Sequence, residues 1–286
     1  MKTLLPTLKR KNGIVIFFFF FYFFLLFFIP FSSLFSAVAG SPYSIYFYNP
    51  ETNINNYSSI KIEFDTYLSK FGSYLFQPFS EKDTFENFME KKDAVFMLSS
   101  WHYKMLRDKF ALEPILVGVL KGKSTQKRIL SSKKKIADLD MLSDTSLASA
   151  GSEDFTRNIL LQMMGEGKKD LVDSINILTV PKDIDALMAV GFGMAVSALT
   201  TETSYFKLET INPKQYQMLK KLATSKEILL PLVAVPKNVI KNENIDKLLK
   251  IIEEIGATEE GEKKLKMLGL NGWKKLDLLD RESLDI

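Results

Sequence analysis

The sequence predicts an α/β fold, in which strands and helices alternate along most of the chain. Two observations indicate it. Short runs rich in aliphatic and aromatic residues have the length and composition of buried strands, and apolar residues recur at helical spacing between them. Such alternation favours mostly parallel sheets with helices on both faces. With 286 residues and no cysteine, the chain is long enough to bury a sizeable core without disulfide support.

The first half of the chain contains strands that are followed by helices. Tyr43 to Tyr48 alternates like a strand and ends at Asn49-Pro50. A predicted helix begins with Asp83 as its N-cap, and Ser99 and Ser100 cap a later one. The other predicted strands are 73–79, 94–98 and 114–120, and the predicted helices before residue 99 are 57–71 and 84–91.

The second half repeats the scheme and ends in helices. Ile129 and Leu130 end a strand, and the polar run 131–135 is either a crossing between two lobes or a solvated surface segment. Thr258 and Gly269 are placed to cap a C-terminal helix, which an amphipathic helix over 245–255 precedes. Further strands are predicted over 147–150, 175–180, 194–199 and 229–235, with helices after Gly151-Ser152 and after Pro181.

Residues 1–39 have the three parts of a secretory signal. Four basic residues precede an apolar run from Ile14 to Ile29, Pro30 ends that run, and Ala37-Val38-Ala39 forms a small-x-small cleavage site. The alternative is a permanent membrane anchor, because the apolar stretch approaches the ~20 residues needed to cross a bilayer. In either case we expect the remainder of the chain to be exported, with a periplasmic location.

Charge and residue types exclude several classes of function. The leader holds four of the 38 Lys and Arg residues and none of the 34 Asp and Glu residues, so the remainder has no net charge and nucleic acid is not an expected partner. His102 is the only histidine. A multi-histidine metal site is therefore impossible, and thiol catalysis is impossible because the chain has no cysteine. We find no catalytic constellation, and we expect no enzyme, no cofactor and no metal.

Polar residues follow several of the predicted strands. Ligands bind outside the carboxyl ends of parallel strands in open α/β sheets, and hydroxyls with helix-start amides can hold an oxyanion. Each position alone is more often a helix cap than a ligand contact, and it is their joint occurrence on successive strand ends that favours a ligand site. The candidate ligand-binding residues are Tyr48, Asn49, Ser99, Ser100, Trp101, Tyr103, Gly151, Ser152, Glu153, Asp154, Thr200 and Thr201.

Four segments resemble one known family in their order and spacing. They are Tyr48-Asn49-Pro50-Glu51-Thr52-Asn53, Asp93 with the apolar strand 94–98, Ile136-Ala137-Asp138-Leu139 ahead of Leu147-Ala148-Ser149, and the closing segment 260–273 with Trp273. Over nearly all of residues 43–277 the chain resembles the phosphate/phosphite/phosphonate substrate-binding proteins of ABC transporters. The resemblance implies a two-lobed, type 2 periplasmic-binding-protein-like fold with a ligand cleft between the lobes.

Two departures separate the chain from the phosphonate pattern of that family. Where the family has a Ser-Thr-Ser type cluster at a helix start, this chain has Ser152-Glu153-Asp154, whose carboxylates would repel a phosphonate. Where the family has an aspartate for a ligand amine, this chain has Val196. Specificity for phosphonate therefore does not follow from the resemblance, and the two carboxylates favour a cationic or donor group if they face the cleft.

These observations lead to one expected organisation and two expected roles. Lobe 1 comprises 40–132 and 230–286, and lobe 2 comprises 133–229. The expected function is that of a monomeric, exported solute-binding protein that delivers a small polar or oxyanion ligand to an ABC permease. The alternative is a sensory or scaffold module that signals to a membrane partner.

Overall fold

The computed structural model describes residues 43–52, 56–91 and 94–285. The predicted signal peptide over residues 1–39 lies outside the described residues, as do Asn53 and Asp93 of the family-like segments. Within the described ranges, no helix has the length and apolar character needed to cross a membrane.

Strands and helices alternate as predicted. The strands are β1 (Tyr43–Tyr48), β2 (Tyr74–Pro78), β3 (Ala94–Leu98), β4 (Leu112–Val119), β5 (Thr125–Gln126), β6 (Arg128–Lys133), β7 (Ser146–Ser149), β8 (Asn176–Thr179), β9 (Ser197–Thr201), β10 (Leu219–Thr224), β11 (Ile228–Leu229), β12 (Leu232–Pro236) and β13 (Gly272–Lys275). The helices are α1 (Tyr57–Leu68), α2 (Lys82–Glu86), α3 (Ser100–Leu106), α4 (Glu153–Met164), α5 (Lys169–Ser174), α6 (Asp183–Phe192), α7 (Glu202–Ile211), α8 (Pro213–Met218), α9 (Glu243–Glu254), α10 (Glu259–Met267) and α11 (Leu278–Asp285).

Two sheets form the centres of two lobes, which confirms the predicted two-lobed α/β fold. Sheet 1 has the order β13-β4-β12-β3-β1-β2, and sheet 2 has the order β10-β6-β9-β7-β8. β1 pairs in parallel with β2 and β3, and β7 pairs in parallel with β8 and β9. In sheet 1, β12 and β13 run against the other strands, and β6 does so in sheet 2. The shared direction brings the strand ends before α3 and α4 to the edges where ligands bind.

Both faces of each sheet are buried under apolar side chains. In β3, Val95 and Met97 face one core while Phe96 and Leu98 face another, and all four are at most 2% exposed. In sheet 2, Ile129 packs into the cluster that includes residues from α6 and α7, while its neighbour Leu130 packs under α4. Burial on both faces explains why the strands appear in the sequence as nearly continuous apolar runs.

The crossings between the sheets lie at β5 and β11, which pair with each other in an antiparallel two-stranded ribbon. The predicted lobe boundary at residue 132 falls inside β6, and that strand pairs only with strands of sheet 2 in the described chain. Ser131 and Ser132 are fully buried in it. The polar run 131–135 was predicted to be either a crossing or a solvated surface segment, and neither holds for Ser131 and Ser132, because serine is small enough to pack inside a sheet. The first crossing therefore precedes Arg128.

Helix caps follow the predictions more closely than helix bounds do. Ser99, Ser152 and Thr258 each accept a hydrogen bond from a backbone N–H in the first turn of the following helix. Gly269 has a φ of +75° after α10, the left-handed conformation that favours glycine. The short helix predicted over 84–91 instead spans Lys82–Glu86 and follows Glu81 without a side-chain cap.

Candidate functional site

The turn after β1 reaches from lobe 1 to the start of α4 in lobe 2. The Asn49 side chain accepts a hydrogen bond from the Glu51 backbone N–H at 3.0 Å and so fixes the turn. The Pro50 carbonyl accepts a hydrogen bond from the Ser152 backbone N–H at 2.7 Å. The amide that was predicted to face a ligand is therefore occupied by the protein's own carbonyl group.

A buried ion pair lies next to this contact. The side chains of Arg128, the first residue of β6, and of Glu51 are each 2% exposed. The Nη2 of Arg128 donates to the Oε2 of Glu51 at 3.0 Å, and Gln126 Nε2 donates to the same oxygen at 2.8 Å. The pair joins the β1 turn of lobe 1 to the first strand of sheet 2 after the crossing. Charge-assisted hydrogen bonds of this kind are stronger than neutral ones.

The buried pair is only partly satisfied. Among the described residues, Oε1 of Glu51 and Nε of Arg128 have no hydrogen-bond partner. Burial raises the pKa of Glu51 because it removes the water that stabilises the carboxylate, and Arg128 opposes this increase. A buried group that lacks a partner costs free energy, so both groups would gain from an additional polar contact.

A second carboxylate, Asp183 at the start of α6, lies on the other side of the guanidinium. Its Oδ1 is 3.8 Å from Nη1 of Arg128. Its Oδ2 accepts hydrogen bonds from the backbone N–H of Thr201 at 2.8 Å and from its hydroxyl at 2.6 Å. Thr201 also caps α7. The neighbouring Thr200 is fully buried, and its Oγ1 has no partner among the described residues.

Aromatic side chains close the interface on the side of α3. The ring of Trp101 meets the ring of Phe155 in α4 edge to face, with centroids 6.1 Å apart. The guanidinium of Arg128 lies over the ring of Phe155 at 5.1 Å. Ser100 donates its hydroxyl to the Leu229 carbonyl of the second crossing at 2.9 Å. Ser99 caps α3, so of the predicted α3 residues it is Trp101 that contacts lobe 2.

The turn before α4 approaches lobe 1 closely because Gly151 has no side chain. A Cβ at this position would lie 2.8 Å from Cδ1 of Phe155 and 3.3 Å from the Pro50 carbonyl oxygen. The first of these distances is too short without a shift of the ring. The hydroxyl of Ser152 accepts a hydrogen bond from the Phe155 N–H as the helix cap. Glycine at 151 thus permits the contact between the two lobes.

The two carboxylates that separate the chain from the phosphonate pattern are both paired with cations. Glu153 accepts hydrogen bonds from Arg157 one turn later in α4, at 2.7 Å from Nη2. Asp154 pairs with Lys82 of α2 across the interface at 2.8 Å. Their charges are therefore compensated by protein groups, and the argument for a cationic ligand loses its basis.

Tyr48 and the single histidine lie together behind this interface. The ring of His102 meets that of Tyr48 edge to face, and its Nε2 is 2.9 Å from Oε1 of Glu86. Burial lowers the pKa of His102, although Glu86 opposes the change. Burial raises the pKa of Tyr48 to about 12, with smaller contributions from Tyr57 and nearby carboxylates. Burial therefore disfavours the charged form of both side chains.

Tyr103 does not face the interface. Its hydroxyl donates to the Leu112 carbonyl at 3.4 Å within lobe 1, and the residue lines a separate surface cavity with Arg107 and Glu113. Two positions along a helix turn a side chain by about 200°. Trp101 and Tyr103 therefore project from opposite sides of α3, and only Trp101 is directed towards lobe 2.

Glu51, Gln126, Arg128 and Asp183 form the polar centre of the interface, although none of them was among the predicted site residues. Arg128 lies 77 positions from Glu51 in the sequence. The available sequence signal was a lone arginine directly before the apolar pair Ile129-Leu130 at the start of a strand. In the described part of the chain, no group of three or more metal-ligating side chains could hold a metal ion.

The sequence matches no protein-family model and no curated protein. Its structure is similar to many solved structures. A Xanthomonas citri protein bound to ATP has a TM-score of 0.61 at 10% identity and covers 86% of this chain and 95% of its own. The binding protein component of an ABC phosphonate transporter from Pseudomonas aeruginosa has a TM-score of 0.60 at 17% identity and covers 86% of both chains.

A Prochlorococcus marinus protein in complex with methylphosphonate also has a TM-score of 0.60, at 11% identity, and covers 86% of this chain and 96% of its own. At such identities the likeness concerns the fold. The chain therefore shares the two-lobed α/β fold of these proteins, with sheets flanked by helices.

Proposed function

We propose that the protein is an exported solute-binding protein that closes its two lobes on a small polar or oxyanion ligand and presents it to an ABC permease. The observation that carries this proposal is the guanidinium of Arg128, which is buried between the lobes and whose Nε has no hydrogen-bond partner among the described residues. A buried cation with spare donors, beside a helix start, is suited to a ligand with acceptor oxygens.

Two of the similar structures support this class of function. One is a component of an ABC phosphonate transporter, and the other was solved with methylphosphonate. Those ligands are properties of those proteins. In this chain the start of α4 differs, because Ser152 is followed by two carboxylates that already have cationic partners. The proposal therefore extends to solute binding and leaves phosphonate as one candidate among small oxyanions.

Ligand binding should be accompanied by lobe closure, because a ligand that touches both lobes stabilises the closed form. A thermal-shift screen with phosphate, phosphonates, sulfonates, amino acids and nucleotides identifies the solute. Small-angle X-ray scattering at saturating solute should then show a smaller radius of gyration than without it. A screen without any stabilising solute, or an unchanged radius with a bound one, would contradict the proposal.

Export is the second part of the proposal. The tripartite leader over residues 1–39 implies removal by signal peptidase, so the exported protein should begin at Gly40. Intact-mass measurement of the protein from the periplasmic fraction tests this start. Retention of residues 1–39 in a membrane fraction would instead support the anchored form.

A second candidate function has one observation in its favour. The interface is already filled by direct contacts, among them Pro50 with Ser152, Glu51 with Arg128 and Lys82 with Asp154. A lobe pair held shut by its own side chains suits a sensory or scaffold module that signals to a membrane partner without a solute. The same screen discriminates the two, because this module should bind none of the solutes and keep one radius throughout.

A further inference from the structure

We propose that Glu51 is a built-in competitor for the interlobe site, and that its carboxylate occupies the position on Arg128 that a small anionic ligand takes when it binds. The inference rests on the proposed solute-binding function. It specifies the ligand class, which is a carboxylate or a tetrahedral oxyanion. It also states that Glu51 occupies the site when no ligand is bound.

The first support is the unused donor capacity of Arg128. A guanidinium has five N–H donors and no acceptor. Among the described residues, its hydrogen bonds run from Nη2 alone, to Oε2 of Glu51 at 3.0 Å and to the Glu51 carbonyl at 3.4 Å. Nη1 is 3.8 Å from Asp183, which is beyond hydrogen-bond distance, and Nε has no partner within the described part of the chain. Within the described chain, the hydrogen bonds to Glu51 therefore use only one of the three guanidinium nitrogens.

The second support is the place of Glu51 in the fold. It belongs to the turn after β1 in lobe 1, whereas Arg128 begins β6 in sheet 2. Opening of the lobes at the β5–β11 ribbon would withdraw Glu51 from Arg128. The same motion would withdraw the Pro50 carbonyl from the Ser152 amide at the start of α4, a helix of 12 residues. Both donors would then face the open cleft.

An anionic group can replace both protein acceptors at once. One of its oxygens would accept from Arg128 in place of the Glu51 carboxylate, and another would accept from the Ser152 amide in place of the Pro50 carbonyl. The start of α4 further favours negative charge through the helix dipole. The turn over Pro50 and Glu51 thus supplies one acceptor to each of the two donors that such a ligand would engage.

The charges around the site favour an anion once Glu51 is withdrawn. Asp154 and Glu153 are neutralised by Lys82 and Arg157. Asp183 then remains as the only carboxylate within salt-bridge distance of Arg128 in the described chain, and it already accepts two hydrogen bonds from Thr201. Closure of the lobes without Glu51 on Arg128 would bury the guanidinium without a partner, and a bound anion offsets that desolvation cost.

An internal competitor lowers the apparent affinity by the fraction of molecules in which the site is free. The Glu51→Gln variant removes the competing charge and should bind its anion at least tenfold more tightly than the wild type. Isothermal titration calorimetry of the whole exported protein with inorganic phosphate, sulfate, methylphosphonate and acetate measures this and separates tetrahedral oxyanions from carboxylates. Circular dichroism checks that the variant is folded.

Three further variants make the test specific. Glu51→Asp keeps the charge on a shorter side chain that cannot keep the 3.0 Å contact, and should bind with intermediate affinity. Glu259→Gln makes the same charge change on a residue that pairs with Lys263 within α10 of lobe 1, and should bind as the wild type does. The double variant Arg128→Lys with Glu51→Gln keeps a positive charge but lacks the planar guanidinium, which can form two parallel hydrogen bonds to an anion. It should lose most of the affinity gained by Glu51→Gln alone.

The outcomes distinguish this inference from the proposed function. If Glu51→Gln binds none of the four anions more tightly than the wild type does, the competitor role is wrong. If the wild type then still binds another solute with lobe closure, the solute-binding function stands without it. A gain in affinity that persists in the double variant Arg128→Lys with Glu51→Gln would place the anion elsewhere and would also overturn the inference.

Discussion

Replacing Arg128 with methionine is expected to lower the free energy of unfolding by about 3 kcal/mol, because the change leaves a carboxylate buried without its cation. Removal of one partner of a buried pair generally costs about 3–5 kcal/mol. The lower value is expected here because Glu51 lies on a turn of the opposite lobe. Partial opening of the lobes can return its carboxylate to water, whereas Asp183 keeps its two hydrogen bonds from Thr201.

The double variant Glu51→Leu with Arg128→Met separates loss of charge balance from loss of packing. It places two apolar side chains where the pair was, and replacements of this kind are often neutral or stabilising. We therefore expect chemical denaturation, followed by circular dichroism, to show most of the lost stability restored. A single variant Arg128→Met as stable as the wild type would contradict the buried pair.

The fold was predictable because local patterns determine most of it. Tyr43 to Tyr48 and Ala94 to Leu98 were recognisable as strands from composition alone, and both were assigned with the bounds that the structure has. Ser99 and Ser152 were recognisable as helix caps because a hydroxyl before an apolar helix satisfies a free N–H. These features depend on neighbours within a few residues.

The strands that escaped prediction or were misplaced are those whose composition is polar. The edge strand β10, over Leu219–Thr224, has two exposed lysines, a usual protection of sheet edges that weakens the apolar pattern. The strand β6 extends through Ser131 and Ser132, which are fully buried. Serine side chains are small enough to pack inside a buried sheet, but in a sequence a run of serines is typical of a loop.

The candidate site was predictable only as a set of strand ends. Trp101 and Ser152 do lie at the interface, as expected from their positions after β3 and β7. The pairing of Glu51 with Arg128 depends on the geometry of both lobes, and no local pattern specifies which of the chain's many charges meet. The orientation of Asp154 towards Lys82, which removes the argument for a cationic ligand, depends on that geometry in the same way.

Replacing Phe155 with alanine is expected both to destabilise lobe 2 and to open the interface between the two lobes. Phe155 is fully buried at the start of α4, and loss of such a ring costs about 3–5 kcal/mol through lost burial and the cavity left behind. The same ring contacts Trp101 of lobe 1 and supports the guanidinium of Arg128. Its removal therefore loses an aromatic contact across the lobes as well as a cation–π contact that holds Arg128 in place.

The control is Ile159→Ala, one turn further along the same helix. Ile159 is 1% exposed and packs into the same lobe 2 cluster. Its truncation should cost about 2–5 kcal/mol but should leave the lobe interface intact, since it lies among core residues of lobe 2. Chemical denaturation should therefore show destabilisation in both variants, while small-angle scattering should show a larger radius of gyration for Phe155→Ala alone. An equal radius in the two variants would mean that the ion pair and the Pro50–Ser152 contact suffice to hold the lobes together, and that the aromatic contact contributes stability to lobe 2 without controlling closure.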